Sequence, residues 1–120
     1  MQQSQKPLNK NIENQLEKMF CGLLSETDSP EKIKIFFDDL LTEGERMAVL
    51  KRMGIAIYLD KKRSYEDIKN NIKVSSATIA SVSEKMGNEG WQEMIKMIKA
   101  EEWASEWSDK LSGRIKKIFG

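Results

Sequence analysis

Two short runs of this chain carry side chains suited to chemistry: Lys61, Lys62 and Arg63, and the stretch from Lys69 to Lys85. In the second, Lys69 and Lys73 precede Ser75, Ser76 and Thr78, and the small residues Ala77, Ala80 and Ser81 stand among larger apolar ones. Cations attract phosphate. Hydroxyls and the free N–H groups of a helix start can donate to it. Small side chains let a helix lie close to another surface. Such residues recognise a polyanion and leave its bonds alone. The chain has no histidine and one cysteine, so within a single chain metal-ligand clusters, histidine-based triads and a disulfide are unavailable. A nucleophile–base pair, paired carboxylates in a defined site and a nucleotide loop are also missing, so an enzyme, a cofactor and a metal are not expected.

The elements that must position these groups are two short helices around a tight turn, over residues 64–86. Ser64 caps a first helix from Tyr65 to Ile72, and Asp67 sits three residues later. Ile68 and Ile72, four apart, share one face. Lys73, Val74 and Ser75 form the turn. Ser75 or Ser76 caps a second helix that runs to Met86, with Ile79, Val82 and Met86 turned inward. Its remaining faces, Ser76, Ala77, Ala80, Ser81 and Glu84, are small or polar. In a helix-turn-helix this outer side meets the DNA major groove.

Further helices frame that unit. Residues 1–10 read as a polar, flexible arm. Asn11 caps a helix bearing Ile12, Leu16, Met19, Phe20, Leu23 and Leu24, with Cys21 expected as a buried thiol. Ser29-Pro30-Glu31 opens a second helix, with Ile33, Phe36, Phe37, Leu40 and Leu41 at helical spacing. Thr42-Glu43-Gly44-Glu45 is a capping box that opens a third helix, the longest uninterrupted one. Lys61-Lys62-Arg63 closes that third helix, at the end where cations are favoured. After the turn Gly87-Asn88-Glu89-Gly90, Trp91 opens another helix with Met94, Ile95 and Ile98. Trp103, Trp107, Leu111 and Ile115 follow at spacings of four, in an extension over 100–120. The expectation is an all-α chain of about six helices, with one helical domain over 11–99.

Charge adds little. Lys and Arg number 20 against 19 Asp and Glu, so any attraction for nucleic acid is local. The tail's four acids and four bases cancel, which argues against a basic membrane-surface helix. No apolar run approaches a membrane span, and the polar N-terminus has no signal-peptide core, so a cytoplasmic location is expected.

The stretch from Leu40 to Met86 resembles the Trp repressor superfamily. Leu41-Thr42-x-x-Glu45-Arg46 is similar to that family's entry into its central helix, and Arg52, Ile55 and Leu59 continue the match. Ser64, Ile68-Lys69-Asn70, Ile72 and Ala77-Thr78-Ile79 match its helix-turn-helix. The turn 87–91 looks more like that of its YerC/YecD group. The resemblance implies an intertwined homodimer that sets two reading helices in successive major grooves of double-stranded DNA. The segments Ile12 to Leu24, Ile33 to Leu41 and Trp91 to Ile98 would then share one core. It also implies that Ser76, Ala77 and Ala80 face bases and that Lys69 touches the DNA backbone. Arg52 matches the central-helix arginine that helps hold the tryptophan corepressor. The family's second arginine is replaced by Ser81, and Val82 stands where the family has a smaller residue. A serine cannot form the guanidinium fork that grips a carboxylate, so tryptophan is not expected as the effector. The resulting expectation is a transcriptional regulator without a tryptophan switch. The alternatives are a helical adaptor that binds other proteins and a sensor of a different small ligand near Arg52 and Ser81.

Overall fold

The structure is a computed structural model that describes residues 5–102. Among them the chain is all-α. In order, the helices are α1 (Lys10–Glu26), α2 (Pro30–Leu40), α3 (Glu43–Asp60), α4 (Tyr65–Ile72), α5 (Ser76–Lys85) and α6, over residues 89–102. The expected capping boxes and turn residues set most of these boundaries. Ser29 accepts from the Lys32 backbone and Pro30 occupies the first turn of α2. At α3, the Thr42 N–H donates to Glu45 Oε1 at 2.8 Å, and the Glu45 N–H donates to Thr42 Oγ1 at 3.2 Å. Those two bonds satisfy two donors that a helix start otherwise leaves unpaired. The cap of α1 is Asn9 rather than Asn11. The Asn9 side chain accepts from the Asn11 N–H at 2.9 Å, and the earlier start brings Lys10 into an ion pair with Glu13.

Contacts divide the chain into two compact units at Val49 and Leu50, inside α3. The unit over residues 1–49 contains α1 and α2, neither of which has a buried residue. Many of its apolar side chains stay open to solvent, Leu40 at 63% exposure, while Leu24, Phe36, Phe37 and Leu41 are half-buried. Phe20, Leu24, Ile33, Phe36, Phe37, Leu40 and Leu41 line a wholly apolar groove of about 430 Å³. Cys21, expected in a core, is exposed instead. Two helices and the first turns of a third supply too few layers to enclose a side chain.

The unit from Leu50 onward holds the core among the described residues. Ile55 and Ala56 of α3, Ile68 of α4, Ile79 and Val82 of α5 and Ile95 of α6 are buried together. Tyr58, Leu59, Ile72, Val74, Met86 and Trp91 pack around them. Ile68 and the Ile79, Val82, Met86 stripe therefore face inward as their spacing predicts. The Asp60 carboxylate pairs with Lys99 at 3.0 Å, and Lys61 with Glu102 at 3.1 Å, which ties α6 to the end of α3. The stripe Trp103, Trp107, Leu111 and Ile115 lies outside the described residues. Among the described residues, no helix is long and apolar enough to cross a membrane.

Candidate nucleic-acid interface

Local bonds fix each helix of the 64–86 unit. The Ser64 hydroxyl accepts from the Asp67 N–H at 3.1 Å and starts α4. Asp67 in turn binds Arg63 at 2.7 Å and Asn71 at 2.8 Å. The helix ends at Lys73, whose backbone is left-handed at φ 62° and whose N–H donates to the Lys69 carbonyl at 3.0 Å. Val74 packs on the core and Ser75 caps α5, accepting from the Thr78 N–H at 3.2 Å. The turn is therefore Lys73, Val74 and Ser75, as read from the sequence.

The outer side of α5 is small and open. Ser76, Ala77 and Thr78 are exposed and Ala80 is half-buried. Ser75 and Thr78 share a hydroxyl–hydroxyl bond at 3.0 Å, so part of their bonding capacity is spent on the helix start. Ser76 and Ala77, in the first turn, carry backbone donors of the kind that a helix start leaves without intrahelical partners.

The cations separate into two groups. Lys61 is held by Glu102, and Arg63 lies between Asp67 and the Tyr58 ring, 5.4 Å from its centroid. Lys62, Lys69, Lys73 and Lys85 make no ion pair among the described residues. Charges already neutralised within the chain contribute less to phosphate attraction than open ones. Within the 61–63 run, Lys62 is the cation without an ion pair among the described residues. Exposed Glu66 and Glu84 bring acid to the same unit.

Arg52, Ser81, Val82, Lys85 and Trp91 line one cleft of about 280 Å³. Arg52 and Ser81, paired by resemblance alone, both line it. Val82, also in the lining, is buried at 4% exposure. Lys85 lies one turn beyond Ser81, and its i, i+4 spacing was legible beforehand. Trp91 enters from α6, which no local pattern signalled. The cleft therefore offers one guanidinium, one ammonium, one hydroxyl and an indole. It lacks a second fork opposite Arg52 for bidentate capture of a carboxylate. Among the described residues, no group of His, Cys, Asp and Glu is arranged to hold a metal ion.

A family model described as Trp repressor protein matches residues 14–102. An uncharacterized protein of Bacillus subtilis (strain 168), YerC, is 30% identical over 93 residues, covering 76% of this chain and 88% of its own length. No solved structure matches the chain at a significant level.

Proposed function

The chain belongs to the Trp repressor family, and from that premise we propose that it is a homodimeric, helix-turn-helix transcriptional regulator that binds double-stranded DNA in the cytoplasm and does not respond to tryptophan. The observation that carries this reading is the outer face of α5. Ser76 and Ala77 are small and exposed, and Lys62, Lys69 and Lys73 are unpaired among the described residues. Small side chains allow a close approach to base edges, and uncommitted cations gain the most from counterion release. The face has no Arg, Asn or Gln for bidentate base contacts, so readout falls to methyl contacts, water and DNA shape. The wholly apolar groove on α1 and α2 supports the dimer, because a second copy would remove that surface from water.

The test is selection of duplexes from fragmented genomic DNA at low salt, followed by titration of the retained duplex. Retention of a reproducible duplex set is expected, and a flat titration at every salt concentration would sink the reading. The Arg52 cleft favours the alternative reading, a sensor of a small ligand other than tryptophan. A thermal-shift screen of carboxylates and phosphates is expected to raise the melting temperature for at least one anion and not for tryptophan.

A further inference from the structure

We propose that Lys51 is a positioning residue for DNA reading: its ammonium latches the turn between α4 and α5 onto α3. The proposal rests on the DNA-binding reading above.

The Lys51 Nζ donates to the Lys73 carbonyl at 3.0 Å, across 22 residues of sequence. Lys73 is the left-handed residue at which the chain leaves α4. Its dihedral angles and those of the next two residues set the direction of α5. One turn further along the same face of α3 stands Gly54. A Cβ there would meet Ile72 Cδ1 at 3.0 Å, so the last residue of α4 lies hard against the α3 backbone. Successive residues 72 and 73 are thus held by successive turns of α3, one by close packing and one by a hydrogen bond.

The two contacts differ in kind. Apolar burial of Ile79 and Val82 holds α5 down but is non-directional. A hydrogen bond to a particular carbonyl fixes an orientation. The ammonium also sits at the C-terminal, negative end of α4, where a cation is favoured. Losing it leaves the core intact and lets the turn rotate, which misplaces Ser76, Ala77 and Ala80 against base edges. Contacts that read no sequence should survive that rotation.

The experiment uses the full chain, wild type, Lys51→Met and Lys51→Arg. The probes are a duplex selected from a random pool by the wild-type protein and a scrambled duplex of the same composition. Lys51→Met is expected to bind the selected duplex about 2- to 10-fold more weakly, the range for losing one hydrogen bond. Its affinity for the scrambled duplex and its salt slope on the selected one stay unchanged, and Lys51→Arg, which still donates, restores discrimination. Equal weakening on both duplexes, with a salt slope shallower by about 0.9, would show Lys51 to be a phosphate contact and overturn the proposal. So would a lowered melting temperature with discrimination intact. A wild-type protein that retains no duplex from the pool fails differently: it removes the DNA reading itself, and this inference with it.

Discussion

Lys69 and Lys73 carry the test of the proposed surface at the level of single side chains. Neither makes an ion pair among the described residues, and Lys73→Ala keeps a non-glycine residue at the same left-handed position, so the fold loses little. The double variant Lys69→Ala, Lys73→Ala is expected to bind duplex more weakly and to reduce the slope of log affinity against log salt by about 1.8, two phosphate contacts' worth. Titrations at a series of salt concentrations measure it, and an unchanged slope would remove both lysines from the interface. A second residue-scale expectation concerns Asp38. The hydrogen bond from Lys34, joined by that from Arg46, holds its carboxyl below the ordinary 3.8. A depressed folded value means the carboxylate contributes stability above the unfolded value, and that contribution is lost as pH falls through the folded one. Wild type is therefore expected to be more stable than Asp38→Asn near neutrality, with the gap closing below about pH 3.8. Melting curves of the two proteins across that range check it. The effect is small, because the pair is largely solvated.

At the level of elements, two helix ends are closed by lysines in a conformation that glycine adopts more readily. At the end of α3, the Arg63 N–H donates to the Tyr58 carbonyl and the Lys62 N–H to the Leu59 carbonyl, with Lys62 at φ 62°. This paired closure usually places glycine at the left-handed residue. The end of α4 uses the simpler single bond from the Lys73 N–H to the Lys69 carbonyl. A left-handed conformation costs a non-glycine residue about 1 kcal/mol. Lys62→Gly is therefore expected to raise stability by a few tenths of a kcal/mol, at most about 0.6 kcal/mol, in denaturant melts, after the loss of unfolded-state restriction is counted. The same change removes an open cation, so DNA affinity should fall while stability rises. That opposition is a sharper test than either measurement alone, since a lysine kept only as a solvated cap would show the gain without the loss.

For the whole molecule, the uneven distribution of burial decides what assembly is expected. The unit from Leu50 onward encloses Ile55, Ile68 and Ile79 completely, while α1 and α2 bury nothing. Open apolar side chains in the first unit include Ile12, Leu16, Phe20, Leu23, Ile33 and Leu40. A surface of that kind is stable in water when a second copy covers it. Sedimentation of the wild type is expected to give a dimer, and Leu40→Asp, at the groove's most exposed wall, a monomer or a much weaker dimer. A wild-type protein that sediments as a monomer at micromolar concentration would contradict the homodimer in the proposal. Melting of the first unit should then also depend on protein concentration, as linkage requires.

The sequence by itself determined the local architecture. The caps at Ser29, Thr42 and Ser64, the turn at Lys73 and the inward stripe of α5 were legible, and the cap of α5 was legible to within one residue, Ser75 or Ser76, because each rests on hydrogen bonds or spacings within about four residues. The pattern Leu41-Thr42-x-x-Glu45-Arg46 with Ala77-Thr78-Ile79 was also enough to point to the family. Local pattern failed where partners are distant in sequence. Lys61 and Lys62 look alike in the chain, yet Glu102, 41 residues on, holds one and leaves the other open. Lys51 gave no sign of reaching Lys73, and Trp91 none of lining the Arg52 cleft. Cys21 carries the signature of a core thiol, but its own unit has too few layers to bury it. Tertiary structure decided these points, because which side chains meet across separate helices depends on how those helices pack.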